Sequence, residues 1–191
     1  TGAGTTTLID VPFGTAVGDR RLILCIYWIA DSPTTLTSVT VDGNLATIII
    51  QNADSITGSS IACAVTMVSL PEGTVGSADL TFTDAPAIDF IYGRSYSVTG
   101  LDSPSAFDTD SNDDQPLVMS LDIPSGGIAI AAAYALTDGG FTVTGLTEDA
   151  DDMELLAASS SDMIGETGRT ITISFTEFGD EHSAGVGASF R

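Results

Sequence analysis

Between Arg20 and Ala30 the chain runs RRLILCIYWIA, with no glycine, proline or acidic residue. Leu22, Leu24, Ile26 and Trp28 form one alternate set; Ile23, Cys25, Tyr27 and Ile29 form the other. Both sets are apolar, so a strand of this pattern needs cover on both faces. A short apolar helix is the competing arrangement. The isoleucine and aromatic content, with Gly18-Asp19 before the run and Asp31-Ser32-Pro33 after it, selects the strand. The segment therefore predicts the middle strand of a sheet with protein on either side.

Three other runs share its character. Ile61–Leu70 and Ile128–Leu136 are apolar on both faces, and Ala184–Phe190 is rich in small residues. Ala62, Ala64, Ala129, Ala131, Ala133, Gly185 and Gly187 would let sheets, or a neighbouring subunit, approach closely. Leu36–Val41, Ala78–Thr83, Leu117–Ile123 and Arg169–Phe175 alternate in the manner of strands with one covered face. Asp42-Gly43 between Val41 and Leu45 marks a hairpin, because a two-residue turn needs positive φ. Ile88–Val98 reads as a long strand bent at Gly93. Gln51–Ser60, Asp102–Gln115 and Ser160–Gly168 read as polar loops, Glu148–Asp152 as an acidic turn, and Phe178–His182 as a turn. No stretch is a convincing helix. The expected fold is all-β: one domain over residues 1–191, a two-sheet antiparallel β-sandwich of jelly-roll type with about eleven strands. Leu24, Ile26, Trp28, Leu80, Phe82, Ile171, Ile173 and Phe175 are its expected anchors.

The charge is one-sided. Against 26 acidic residues stand five arginines and no lysine, a net charge of −21. This excludes a phosphate-binding surface for nucleic acid and disfavours anionic membranes. It suits solubility at high ionic strength, although an acidic surface at ordinary salt has the same composition. No apolar run reaches the roughly 20 residues of a membrane helix. Residues 1–10 lack a charged n-region and an apolar h-region, so no signal peptide is expected. Cys25 and Cys63 lie in apolar runs outside any metal or redox spacing, which favours free buried thiols over a disulfide.

The motifs that could carry chemistry are incomplete. Asp108, Asp110 and Asn112 open like a calcium loop, but Asp113 stands where an EF-hand needs glycine and Met119 where it needs glutamate. A looser calcium site at Asp108–Asp114 stays open beside a solvated acidic loop, and Glu148–Asp152 has the same two readings. His182, the single histidine, is preceded by Asp180 and Glu181 and followed by Ser183, yet no Gly-x-Ser-x-Gly elbow accompanies it. Carboxylate pairs of the glycosidase kind arise by chance among so many acids, and one tryptophan and four tyrosines supply few sugar platforms. Arg20, Arg21, Arg94, Arg169 and Arg191 are each expected in an ion pair, with Arg191 the best placed for a partner. No catalytic, cofactor-binding or metal-ligating residue is assigned, and no cofactor.

Four segments carry a resemblance. They are Gly18-Asp19-Arg20-Arg21-Leu22-Ile23-Leu24, Ser38-Val39-Thr40-Val41-Asp42-Gly43, Gly126-Gly127-Ile128-Ala129-Ile130 and the terminal Ala188-Ser189-Phe190-Arg191. Together they resemble β-sandwich domains of the virion proteins of tailed phages. The resemblance implies a non-enzymatic structural protein located in the virion, foremost a head decoration protein that reinforces the shell. It would bind the major capsid protein or tail proteins and self-associate, a trimer being one form. The alternative is a tail-fibre module that binds a receptor or carbohydrate; a hydrolase ranks last.

Overall fold

The computed structural model describes residues 4–56, 58–83, 87–152, 154–177 and 182–191. The double-sided segment becomes β2 (Arg21–Ala30), paired with β5 (Ser59–Ser69) on one side and β7 (Ile88–Val98) on the other. With β1 (Gly4–Pro12), β3 (Leu36–Val41), β4 (Asn44–Ile56) and β6 (Val75–Phe82) these strands form one seven-stranded sheet, in the order β1-β6-β3-β4-β5-β2-β7. The β3–β4 hairpin turns at Asp42 and Gly43, whose φ angles of 46° and 79° are those its sequence predicts. The first residues of β4 pair with β3 and the rest with β5. The β4–β5 ladder shifts register between Ile48 and Ile50. A bulge of this kind lets one strand turn a corner, and the sheet curls into a nearly closed barrel.

Inside the barrel, Leu22, Leu24, Ile26 and Trp28 of β2 meet Val39, Val41, Leu80 and Phe82 from the opposite wall. The Trp28 and Phe82 rings pack edge to face at 5.4 Å. Outside it, Ile23, Cys25 and Tyr27 of β2 and Ile61, Cys63 and Val65 of β5 face a second layer. The five sequence anchors in this half, Leu24, Ile26, Trp28, Leu80 and Phe82, are all buried.

That second layer is a five-stranded sheet. It comprises β12 (Thr147–Asp151), β13 (Leu155–Met163), β10 (Gly127–Ala135), β15 (Ser183–Phe190) and β8 (Asp108–Asn112), in that order. The third layer is a three-stranded sheet of β11 (Thr137–Thr144), β14 (Glu166–Glu177) and β9 (Leu117–Ile123). The middle sheet is thus covered twice. Ile130, Ala132, Tyr134, Val186 and Phe190 face the barrel, while Ala129, Ala131 and Ala133 face the outer sheet. The small residues give the outer sheet its close approach: a Cβ built on Gly187 would lie 3.3 Å from Leu121 Cδ1. Ile171 and Ile173 are buried in this outer core, and Phe175 packs at its margin.

The expected two-sheet sandwich of about eleven strands is therefore corrected to fifteen strands in three sheets among the described residues. The sequence pattern shows that a face is covered, not which layer covers it. The polar loop 102–115 contains β8, the acidic turn 148–152 largely coincides with β12, and the loop 51–60 continues the β4–β5 hairpin. Nor does β7 bend at Gly93, which pairs in register with Ile26. A Cβ at Gly93 would lie 2.8 Å from Leu8 Cδ1 on β1, so a larger residue there would require the Leu8 side chain to shift.

One polar side chain closes the barrel end. Arg20 is fully buried and pairs with no carboxylate among the described residues. Its guanidinium donates to five backbone carbonyls: Leu70 (2.5 Å), Phe13 (3.1 Å), Gly14 (3.2 Å), Gly73 (3.0 Å) and Glu72. It thereby joins the β1–β2 loop to the β5–β6 loop. Replacing it with methionine would keep the bulk and leave those carbonyls without their donor. Urea unfolding of Arg20→Met is expected to show a loss of about 3 kcal/mol or more. Arg20→Lys, with three donors, should recover only part of it.

Candidate functional site

Most residues singled out in the sequence serve as struts. β8 pairs with β15 at the edge of the middle sheet, beside the free edge of β9 in the outer sheet. Asp108 accepts from the Asp122 amide and Asp110 from the Ser120 amide, both at 2.7 Å. The two carboxylates stand where a neighbouring strand would offer carbonyls, and sew the sheets together. Asn112 accepts from the Asp114 amide at 3.0 Å. Among the described residues no group of three or more His, Cys, Asp or Glu side chains is placed to hold a metal ion.

His182 forms a close pair with Asp54, Nδ1 to Oδ2 at 2.9 Å. The same oxygen accepts from the Ser183 amide at 3.2 Å, while the Ser183 hydroxyl donates to the Asp113 carbonyl. That hydroxyl is committed to a carbonyl, so Ser183 is not in line as a nucleophile for His182. Asp180 and Glu181 lie outside the described residues. Arg94 pairs with Asp152, Arg169 with Glu166, and Arg191 with Asp102 at 3.4 Å. Arg20 departs from the expected pattern by binding carbonyls instead.

Both cysteines are free and fully buried. Burial pushes the Cys25 thiol from 9.0 up to about 12, and raises Cys63 and Tyr27 in the same sense. Cys63 donates to the Ala184 carbonyl at 3.2 Å and Tyr27 to the Leu156 carbonyl at 2.7 Å, so these polar atoms tie the barrel to the middle sheet.

The feature that sequence reasoning missed lies at the junction of barrel and middle sheet. Alternation along β7 puts Phe90, Tyr92, Arg94 and Tyr96 opposite Ile29, Tyr27, Cys25 and Ile23 of β2, on the outward face. Facing them come Asp149, Asp152, Glu154 and Leu155 from the β12–β13 hairpin. Phe90, 38% exposed, stacks on Tyr134 with centroids 6.1 Å apart and planes 19° apart. The Tyr134 hydroxyl lies 3.3 Å from Glu154 Oε2, and the Tyr96 hydroxyl 2.8 Å from Asp149 Oδ2. The Arg94 guanidinium sits 5.3 Å over the Tyr92 ring while it pairs with Asp152. Burial first, then Glu154, raises the Tyr134 hydroxyl's pKa; burial, then Cys25, then Asp149, raises that of Tyr96. Both hydroxyls therefore remain donors to carboxylate oxygens.

Phe90, Tyr92, Asp152, Glu154 and Leu155 line a hollow of about 560 Å³. Along the same junction, past Tyr96, a second hollow of about 360 Å³ reaches Leu101, Ser159 and Arg191. Tyr92 lines the first hollow and Tyr96 the second, while Tyr27 and Tyr134 are buried in the core behind them. The F-x-Y-x-R-x-Y spacing of β7 was the available signal. Its opposing wall comes from residues more than fifty positions later in the chain. No family model matches the chain, and comparison with curated proteins and with solved structures finds no match.

The buried thiols yield a test with a definite sign. Iodoacetamide at pH 8 should leave both cysteines unmodified in the folded protein and label both after denaturation. Below pH 9.0 the thiols are neutral in both states. Above it the unfolded chain ionises first, while folded Cys25 holds its proton up to about pH 12. Stability should therefore hold up to about pH 9 and fall across the window from 9 to 12, as read by denaturant midpoints.

Proposed function

We propose that the chain is a non-catalytic virion surface protein that binds a receptor or carbohydrate. The resemblance to virion β-sandwich proteins supports the location. Its four segments fall on or next to β2, β3, β10 and β15, strands that run through the cores. The observation that carries the binding role is the cleft: Phe90, Tyr92 and Tyr96 in a row on β7, opposite Asp149, Asp152 and Glu154. Aromatic rings beside fixed hydrogen-bonding groups are the make-up of a small-ligand site. The acidic and basic groups elsewhere act as struts: Asp108 and Asp110 join two sheets, Asp54 holds His182, and Arg20 plugs the barrel end. Head decoration, the first expectation from sequence, asks only for a docking face and leaves the aromatic row without a purpose.

The purified chain should bind host-surface glycans saturably and co-purify with intact particles. Tyr92→Ala should weaken glycan binding at least tenfold, equivalent to about 1.4 kcal/mol, with its circular dichroism unchanged. Attachment to emptied shells at fixed copy number, with no glycan affinity, would return the protein to head decoration.

A further inference from the structure

We infer that the cleft between β7 and the β12–β13 hairpin takes a pyranose glycan that carries no negative charge, with an amino sugar as its preferred form. This deepens the binding role proposed above and rests on it. The cleft offers two kinds of contact. Phe90 and Tyr92 supply ring surface at its floor, and Phe90 is held by its stacking on Tyr134. Tyr92 lines the hollow, whereas Arg94, which lies over the ring, does not. The guanidinium is thus spent on orienting the platform and on its ion pair with Asp152. A pyranose presents an apolar C–H face to such a ring and hydroxyls around its rim.

The polar rim has one sign. Asp149 and Glu154 each lie within hydrogen-bonding distance of one tyrosine hydroxyl, and each carboxylate has oxygen lone pairs to spare for a ligand donor. Asp152 and Glu154 line the hollow and Asp149 lies beside it on Tyr96, against Arg94 alone, so the junction carries an excess of negative charge. A net charge of −21 surrounds it. A sialic acid, uronate or sulfated sugar would bring its own anion against these carboxylates, with the nearest cation already paired. Sugar hydroxyls and ammonium groups are donors, and carboxylates accept from both. A cationic amine gains the Coulomb term as well, and salt should weaken that part only.

Titration calorimetry on the full chain would use three probes of similar length: a glucosamine oligosaccharide, its N-acetylated counterpart and a uronate oligosaccharide. The glucosamine form should bind at least threefold more tightly than the N-acetylated form at low salt. Glu154→Gln should reduce that ratio toward one, and so should raising the salt. The uronate should bind at least tenfold more weakly than either. Tyr92→Ala should weaken the binding of every probe at least tenfold, with a thermal midpoint near that of the parent as the folding control. Uronate binding equal to or tighter than the others, and sensitive to Tyr92→Ala, would overturn the charge assignment while leaving the binding role intact. A glucosamine preference unmoved by Glu154→Gln and by salt would also overturn it. No binding of any probe, with Tyr92→Ala indistinguishable from the parent, would remove the binding role and this inference together.

Discussion

The middle sheet is covered on both faces and carries its bulk on one of them, toward the barrel. Packed sheets stand about 10 Å apart, so the residues from two facing layers must share one thickness. β10 and β15 do so with alanine and glycine toward the outer sheet, where Leu117, Met119 and Leu121 fill the space. Toward the barrel, β2 and β5 contribute Ile23, Tyr27, Ile61 and Val65, while the middle sheet answers with Ile130, Tyr134, Val186 and Phe190. Tyr27 and Cys63 add hydrogen bonds from barrel side chains to middle-sheet carbonyls, which sets the depth at which the layers meet.

The acidity has a structural use within this arrangement. Sheet edges and turns leave backbone amides without strand partners, and buried or half-buried amides are costly to leave alone. Short carboxylates fill those places. Asp42 takes the Ser77 amide, Asp31 that of Ala87, Asp19 that of Gly100, Asp122 that of Gly168 and Asp151 that of Phe141. Arg20 is the complement, a cation that gathers carbonyls where two loops would otherwise crowd their oxygens together. Most of these carboxylate–amide bonds are exposed, so solvent screens them, whereas the Arg20 contacts lie wholly or partly buried.

Much of this was legible in the residues and some was not. The two-faced pattern of β2 placed it inside the sheet, and Asp42-Gly43 announced its hairpin. β8 and β12 escaped notice because they are edge strands held by backbone ladders and polar side chains. Asp108, Asp110 and Asn112 alternate without an apolar face for periodicity to detect. The number of layers was hidden for a related reason: Ala129 and Ile130 each report burial, and nothing in either names the sheet opposite. Half of the cleft was readable as alternation along β7. The other half depends on the topology that carries β12 and β13 back to the barrel.

The barrel has an odd number of strands, and every ladder in it is antiparallel. Its two end strands, β1 and β7, consequently point the same way where they meet. They touch through side chains, Leu8 against Gly93 and Ser95 to the Pro12 carbonyl, and no ladder joins them. The wall therefore has one built-in slit, and local opening costs least along it. β7, which bears Phe90, Tyr92 and Tyr96 on its outer face, is thus held by a backbone ladder along one long edge only, the β2 edge, among the described residues.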